Sequence, residues 1–452
     1  MFNITAESLG SKQFKRLYNL KYAYLSGGMY RGIASKEMAV AMGKAGMIGY
    51  LGAGGLDLET TKKAILYLQK ELQDKPYGVN FLHHYAEPEA DEALAVFLLE
   101  TGVQNIEASA FMRITPGLVR YRLSGLSLGD DGSPIAANRI MAKLSHPKVA
   151  EAFLRPAPAK IVKKLLEAGK ITSQQAELSS RVPMADAICA EADSGGHTDM
   201  AASYTLTPTI AALKDAITRE MNYSQPVFLG AAGGIGSPQA VAAAFILGAD
   251  FVLTGSINQC SVEAGTSDQV KDMLQKINIK DTAYAPSGDM FEIGAKVQVM
   301  KQGTLFPVRA NKLRDLYERH NSLEEIDSKT RQELEKTYFK KSFEEIYEET
   351  KAYFLVRDPK QIDRAEENPR HKMALVFRWY FANSAQAALE GRIEDKMNFQ
   401  IHTGSSLGAF NQWATGVGLA NWRDRRTAEI GKKLMDAAAD LLNERFRSLA
   451  SE

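Results

Sequence analysis

The sequence has 452 residues, of which 45% are hydrophobic, and a formal net charge of +1. A chain of this length can bury a large core and is expected to divide into more than one unit. The near-neutral charge gives no support for nucleic-acid binding, which requires a concentrated basic surface. Two cysteines, Cys189 and Cys260, are too few for a disulfide framework. We therefore expect reduced thiols and a cytoplasmic location.

The N-terminal segment and the longest apolar segment argue against export and against a membrane partner. Residues 1–15 lack the charged start and the continuous apolar stretch of a secretory signal. The apolar residues 240–255 are interrupted by Gly248 and Asp250, and the segment is too short to span a bilayer. It fits a helix that leads into a buried strand.

Between residues 21 and 256, short apolar runs alternate with amphipathic stretches of helical period, as is typical of βα units. The candidate strands are residues 23–26, 47–51, 78–82, 105–108, 139–143, 186–190, 227–230 and 251–254. Eight such runs in succession favour an α/β fold of the (β/α)8 TIM barrel type over an open sheet. We place this barrel at residues 1–305.

The remainder of the chain has a different character. Residues 310–365 are rich in Glu, Lys, Arg and Tyr at helical spacing and contain few strand signals. Charge runs such as Glu344-Glu345 are typical of solvated helix faces. We therefore predict a mainly helical C-terminal appendage at residues 306–452.

A short glycine-containing segment, residues 191–199, follows the sixth candidate strand. The carboxyl ends of the strands carry the active site in a β/α barrel. Gly195 and Gly196 would let the backbone approach a flat ligand, and His197 would then project over that ligand. A glycine turn with a hydrogen-bonded histidine is the alternative interpretation.

Two further loops indicate a phosphate site. Residues 230–238 follow the seventh candidate strand and residues 254–256 follow the eighth, the two positions where β/α barrels commonly bind phosphate. Backbone N–H groups of Gly233, Gly234, Gly255 and Ser256 would surround the oxygens, next to the positive end of a helix. A pair of tight turns is the alternative.

The glycines do not form a dinucleotide fingerprint. Gly234 and Gly236 are followed by Gln239 where the third glycine should stand, so the G-x-G-x-x-G pattern fails. A mononucleotide phosphate such as that of FMN fits a barrel better than a dinucleotide pyrophosphate does.

Polar residues at the ends of other strands suit a flavin ring. Asn80 and Lys143 lie near the ends of the third and fifth strands, where an amide and an ammonium group would face the ring edge that gains negative charge on reduction. Either residue could instead cap a loop or pair with a carboxylate. Backbone contact with the ring is expected from the residues after the first strand, Ser26, Gly27, Gly28 and Met29.

Other chemistries find little support. His83 and His84 are adjacent, and the histidines and cysteines lack metal-ligand spacing, so we expect no metal. No G-x-S-x-G elbow is present, which disfavours a serine hydrolase.

The sequence resembles the PfaD-type flavin-dependent enoyl reductases that act in trans in polyketide and polyunsaturated fatty acid synthesis. The residues that carry the resemblance are 108–112, 183–186, 191–199, 230–236, 254–258, 289–292, 298–299, 372–380 and 408–411. More distantly, the barrel is similar to nitronate monooxygenases and to the flavin-dependent enoyl-carrier-protein reductase of bacterial fatty acid synthesis. In both groups a Gly-Gly-His segment supplies a histidine over the flavin.

The resemblance implies bound FMN, NADPH as reductant and an enoyl thioester on an acyl carrier protein as substrate, with polyketide or fatty acid synthase modules as partners. His197 is then the candidate acid that protonates the α-carbon. Alternatively, His197 only orients the flavin or the thioester carbonyl, and water or Lys143 donates the proton. The sequence lacks the acyltransferase domain fused to some relatives, so a stand-alone reductase is expected. The loop at residues 398–406 departs from the pattern of the relatives.

Two other functions compete with this one. In a nitronate monooxygenase-type oxygenase, the same histidine would remove an α-proton and oxygen would reoxidise the flavin. A flavin-free barrel scaffold of a synthase complex is the third hypothesis, and such a protein would be colourless.

The appendage is predicted to be a lid or a docking region for the carrier protein. Carrier proteins are usually acidic, and a basic face would speed their encounter with the enzyme. The candidate basic residues are Arg423, Arg425, Arg426, Lys432 and Lys433. An ordinary solvated helix face is the alternative interpretation.

Overall fold

The computed structural model describes residues 3–83, 88–196 and 198–450. They form two compact units. The barrel unit contains residues 3–194, 198–265 and 409–450. The helical unit contains residues 195–196 and 266–408.

Eight parallel strands close into a barrel, so the TIM-barrel prediction is confirmed. In chain order the strands are β1 (Tyr24–Ser26), β2 (Ile48–Leu51), β3 (Gly78–Leu82), β4 (Asn105–Ser109), β5 (Arg139–Leu144), β6 (Ala187–Glu191), β7 (Phe228–Ala232) and β8 (Phe251–Thr254). The barrel closes where β1 pairs with β8, with Ser26 opposite Thr254. All eight predicted runs coincide with these strands to within a few residues.

The helices of the barrel unit follow the strands or decorate the loops between them. Up to residue 265 they are α1 (Lys12–Leu17), α2 (Lys36–Lys44), α3 (Leu58–Leu72), α4 (Pro88–Glu100), α5 (Pro116–Leu123), α6 (Pro147–Leu154), α7 (Ala159–Glu167), α8 (Ser173–Leu178), α9 (Ser203–Met221), α10 (Pro238–Ile246) and α11 (Ser256–Gln259). Local chemistry sets their starts: Ser35 caps α2, Asp57 caps α3 and Ser237 caps α10 through side-chain acceptors. A short hairpin pairs Ser127–Leu128 with Pro134–Ile135.

Apolar residues fill the amino end of the barrel. Phe14 of α1 is fully buried, and its ring stacks on Phe251 with 4.3 Å between centroids. The ring of Phe228 packs edge-on against the Phe14 ring, with 5.4 Å between centroids. Because α1 closes this end with a close-packed aromatic cluster, ligand chemistry is left to the carboxyl end.

The helical unit also contains a small sheet that the sequence did not predict. Two antiparallel strands, β9 (Thr282–Pro286) and β10 (Lys296–Met300), pair in register from Thr282–Met300 to Pro286–Lys296. The helices of this unit are α12 (Asp268–Leu274), α13 (Phe306–Arg319), α14 (Ser328–Leu334), α15 (Phe343–Arg357), α16 (Pro359–Glu367) and α17 (Pro369–Glu390). The mainly helical character predicted for this part of the chain is confirmed.

The last two helices are α18 (Ser406–Thr415) and α19 (Thr427–Ala450). Helix α19 packs against α10 and α2 and so belongs to the barrel unit. It buries an apolar stripe that includes Ile430, Leu434 and Ala438. The compact units therefore divide after residues 265 and 408, whereas the sequence placed one boundary after residue 305. In the described part of the chain, no helix has both the length and the hydropathy needed to span a membrane.

Candidate active site

Polar side chains gather at the carboxyl ends of the barrel strands. Ser26 ends β1, Asn80 lies in β3, Lys143 lies in β5 and Glu191 ends β6. Glu107 lies in β4 directly opposite Asn80. All five belong to the barrel unit, so the fold itself brings these residues to one end of the barrel.

Glu107 is the centre of this group. It is fully buried, and its Oε2 atom accepts hydrogen bonds from the Gly28 amide at 2.6 Å and from Asn80 Nδ2 at 3.1 Å. Asn80 Nδ2 also lies 2.9 Å from Ser109 Oγ. A Cβ atom on Gly28 would lie 2.5 Å from Asn80 Cβ and 2.7 Å from Glu107 Oε2. Only glycine at position 28 permits this approach.

Lys143 lies between two carboxylates. Its Nζ atom is 3.4 Å from Glu107 Oε1 and 3.5 Å from Glu191 Oε1. Burial favours loss of the ammonium proton, but Glu191 and Glu107 outweigh this effect and raise the pKa of Lys143 above that of an ordinary lysine. The carboxylate pairing that the sequence left open is therefore present, and Lys143 stays charged at neutral pH.

The Glu107 oxygen nearest Lys143 makes an ion pair without a hydrogen bond. Within the residues that the structure describes, Glu107 Oε1 accepts no hydrogen bond, although it is fully buried. A buried acceptor in this state is uncommon, and the oxygen has the capacity to accept a further hydrogen bond.

The loop after β7 has an open backbone. Gly233 and Gly234 have φ angles of +76° and +74°, a conformation that side chains rarely tolerate. A Cβ atom on Gly233 would lie 2.3 Å from the Ala192 carbonyl oxygen, whereas one on Gly234 would meet no atom within 4 Å. Helix α10 starts four residues after Gly234, at Pro238. The loop therefore combines exposed backbone with a helix N-terminus, as a phosphate site requires.

The loop after β8 is connected to β1 through Asn258, which the sequence analysis did not single out as a site residue. Asn258 Nδ2 donates to Ser26 Oγ at 3.2 Å and to Thr254 Oγ1 at 2.9 Å. Space beyond Gly255 is open, and Ser256 begins α11. The Ser26 hydroxyl is thus engaged within the protein, where it also donates to Met38 Sδ at 3.2 Å.

The other two predicted residues after β1 lie close to this network. Gly27 donates its amide to the Thr254 carbonyl at 3.0 Å, and a Cβ atom there would lie 3.2 Å from Glu107 Oε1. Met29 packs against Ala34, Met38 and Ala264. The backbone at Gly27 and Gly28 is therefore the part of this segment that lines the site.

Gly195 and Gly196 belong to the helical unit. The Gly195 carbonyl accepts a hydrogen bond from His402 Nδ1 at 3.1 Å, and a Cβ atom on Gly195 would lie 3.0 Å from the Thr403 amide nitrogen. The loop at residues 398–406 thus contacts Gly195 through His402 and Thr403. His197 lies outside the described residues, so its predicted position stays a prediction.

Arg425 is not a docking residue, and that prediction is wrong. Its side chain is fully buried and donates to the Leu419 carbonyl at 2.8 Å, to Asn411 Oδ1 at 2.9 Å and to Cys260 Sγ at 3.2 Å. Internal acceptors therefore satisfy the guanidinium. Arg423, Arg426 and Lys432 are exposed and Lys433 is half-buried.

Comparison with known proteins gives two family matches. The model of the nitronate monooxygenase family matches residues 12–315. The model of the inserted helical domain of acyl-carrier-protein S-malonyltransferase matches residues 320–399. The first match covers the barrel strands, and the second lies within the helical unit.

Individual relatives extend over almost the whole chain. The chain is 54% identical over 447 residues to the polyketide biosynthesis protein PksE of Bacillus subtilis, covering 99% of this chain and 58% of that protein. It is 42% identical over 417 residues to a polyunsaturated fatty acid synthase subunit of Thraustochytrium, covering 91% of this chain and 28% of that protein. The chain therefore spans little more than half of the first relative and less of the second.

A solved structure matches more completely. The enoyl reductase domain of MlnA, from the macrolactin biosynthesis cluster of Bacillus amyloliquefaciens, superposes with a TM-score of 0.94 and 44% identity. The match covers 98% of this chain and 99% of that domain. The chain belongs to the nitronate monooxygenase family and, within it, to the PfaD-type enoyl reductases of polyketide and polyunsaturated fatty acid synthesis.

Proposed function

We propose that the protein is a trans-acting enoyl reductase that reduces the α,β-double bond of enoyl thioesters on an acyl carrier protein. In this proposal NADPH is the reductant and FMN is the bound flavin. The observation that carries the proposal is the similarity to the MlnA enoyl reductase domain, because it extends over 98% of the chain. The polar network at the carboxyl end of the barrel supports it independently.

The residues at that end fit FMN. The backbone of Gly233, Gly234, Gly255 and Ser256 would bind the phosphate, and the space at Gly234 and Gly255 is open. The buried Glu107 Oε1 atom, which lacks a hydrogen bond within the described part of the chain, matches a ligand that carries an N–H donor. When bound, FMN supplies two-electron chemistry between NADPH and the enoyl thioester.

Asn80 and Lys143 have different tasks in this site. Asn80 presents an amide whose orientation is fixed by Glu107 and Ser109. Lys143 supplies a fixed positive charge, and its raised pKa makes it a poor proton donor at neutral pH. We therefore assign protonation of the substrate α-carbon to His197, since an imidazole titrates near neutral pH.

We further propose that residues 306–452 contain the docking region for the carrier protein and for synthase modules. The names of the relatives, a polyketide biosynthesis protein and a polyunsaturated fatty acid synthase subunit, support partners of this kind. The match of residues 320–399 to a helical domain of an acyl-carrier-protein transferase supports the placement. Both cysteines are buried and neither forms a disulfide, which fits a reducing compartment such as the cytoplasm.

A charge substitution in the β7 loop tests the flavin assignment. Gly234→Asp places a carboxylate in the open space beside the proposed phosphate, and we expect it to abolish FMN binding through like-charge repulsion. Gly234→Asn is the matched control, because asparagine has the same shape without the charge and tolerates a positive φ angle. Flavin absorbance after purification and FMN titration of the apoprotein measure the effect.

Two outcomes would contradict the proposal. Full flavin absorbance in Gly234→Asp would show that the phosphate binds elsewhere. A wild-type protein that is colourless and does not bind added FMN would favour the flavin-free scaffold.

A further inference from the structure

Two amide donors and one ammonium group, from three separate parts of the barrel, converge on one buried carboxylate. The Gly28 amide follows β1, Asn80 lies in β3 and Lys143 lies in β5, and each is within 3.4 Å of a Glu107 oxygen. Glu107 itself has no solvent exposure. The proposed reaction assigns no step to Glu107. Glu107 nevertheless contacts the Asn80 and Lys143 side chains, which are predicted to face the flavin edge.

The charges of this network do not cancel. Glu107 and Glu191 each lie within 3.5 Å of the Lys143 ammonium, which gives two carboxylates to one cation. The side chains of Lys143 and Glu191 are 14% and 12% exposed, so water screens these charges little. Lys143 is thus a cation whose charge is offset by two neighbouring carboxylates.

The charge beside a flavin affects how easily the flavin is reduced. Reduction adds negative charge to the polar edge of the ring, so an unpaired cation nearby would stabilise the reduced form. A cation already neutralised by two carboxylates provides less stabilisation. The reduced flavin is then a stronger hydride donor, and reduction of an enoyl thioester requires such a donor.

We propose that Glu107 is a positioning residue that holds the Gly28 and Asn80 amides in place and, by neutralising Lys143, keeps the reduction potential of the bound flavin low. This inference rests on the proposed function, because it requires bound FMN. It assigns the buried carboxylate a role in hydride transfer that does not require contact with the substrate.

The test compares midpoint potentials of the FMN-loaded full chain, measured by reductive titration against a reference dye. Glu107→Gln keeps the shape and one acceptor oxygen but removes the charge. We expect the equilibrium to shift at least about tenfold toward reduced flavin, which corresponds to about 30 mV upward for a two-electron couple. Asp186→Asn is the control, since Asp186 pairs with Arg122 and precedes β6 at the opposite end of the barrel. The flavin midpoint potential of Asp186→Asn should equal that of the wild type.

A second variant keeps the inference testable if Glu107→Gln does not fold. Glu191→Gln removes the other carboxylate beside Lys143 and should raise the potential in the same direction. If Glu107→Gln binds FMN, an unchanged midpoint potential in that variant would overturn the inference. If only Glu191→Gln binds FMN, an unchanged midpoint potential in that variant would overturn it. Either result would leave the proposed function intact. Failure of the wild type to bind FMN would instead contradict the proposed function.

Discussion

The carboxyl end of the barrel and the core of the helical unit bury their side chains in opposite ways. In the helical unit, Phe291, Phe306 and Phe377 are fully buried among other aromatic rings. At the barrel end, the fully buried Glu107 carboxylate forms an ion pair with the largely buried Lys143, whose side chain is 14% exposed. Aromatic packing stabilises a fold directly, whereas a buried ion pair seldom does, because desolvation offsets the attraction. The difference indicates that the helical core serves folding and the barrel end serves chemistry.

The largest expected effect is on the aromatic core. Phe291 contacts Tyr317, Phe381 and Phe377, with ring centroids 5.2, 5.5 and 6.2 Å away. Phe291→Ala should lower the free energy of unfolding by about 3–5 kcal/mol, as expected for a large cavity in a packed core. Urea unfolding measures this loss. The FMN dissociation constant of the folded variant should be unchanged, and weaker binding would contradict the division of roles.

Removal of the Lys143 charge should have a somewhat smaller effect that depends on pH. Lys143→Met leaves Glu107 and Glu191 without their cation, which should cost about 3 kcal/mol. Urea unfolding of wild type and variant at several pH values gives the comparison.

The stability of the wild-type protein at alkaline pH tests the same ion pairs of Lys143. Because its pKa is raised in the folded state, the ion pairs stabilise the protein fully below the ordinary lysine pKa of about 10.4 and less as the pH rises beyond it. Lys143→Met should lack this alkaline component. A stability difference between the two proteins that is constant from acid to alkaline pH would contradict the assigned ion pairs.

Substitution of Arg425 should have the smallest effect on stability. Arg425 is a buried charged residue outside the candidate active site, so it tests a polar group that contributes to folding alone. Arg425→Met removes hydrogen bonds to the Leu419 carbonyl and to Asn411, and should cost about 2 kcal/mol, since hydrogen bonds from charged donors contribute about 1.5–3 kcal/mol. The exposed neighbour Arg426→Met is the control and should change stability by less than about 0.5 kcal/mol. If Arg425→Met were as stable as Arg426→Met, the internal bonds assigned to Arg425 would be in doubt.

The barrel was predictable because its strands follow a strict alternation with amphipathic helices. The glycine-containing loops after the seventh and eighth strands were predictable from the sequence, and their role in phosphate binding stays a prediction. Glu107 was missed, although the predicted fourth strand contained it: a lone carboxylate within an apolar strand is the signal that points to a buried ion pair. Arg425 was misassigned because a linear cluster of charges does not reveal which side chain turns inward.

The division into units also depends on tertiary contacts that no local pattern encodes. The sequence placed α19 with the helical region, since its amphipathic period resembles that of the preceding helices. Its apolar stripe packs on α10 and α2, more than 180 residues earlier in the chain. The pairing of β9 with β10 was missed because each strand has only five residues. Such short strands show little alternation of apolar and polar residues on either side of the connecting residues 287–295.

The most direct test of the enoyl reductase function is anaerobic turnover by the FMN-loaded wild-type protein. The protein is first reduced with one equivalent of NADPH and then mixed with crotonyl thioester on an acyl carrier protein or, separately, with a nitroalkane. We expect flavin absorbance to return with the crotonyl substrate, with stoichiometric formation of butyryl carrier protein, and to remain low with the nitroalkane. A reduced protein that is unreactive toward the crotonyl carrier protein, together with oxygen-dependent consumption of the nitroalkane by the oxidised protein, would contradict the enoyl reductase assignment and favour a nitronate oxygenase.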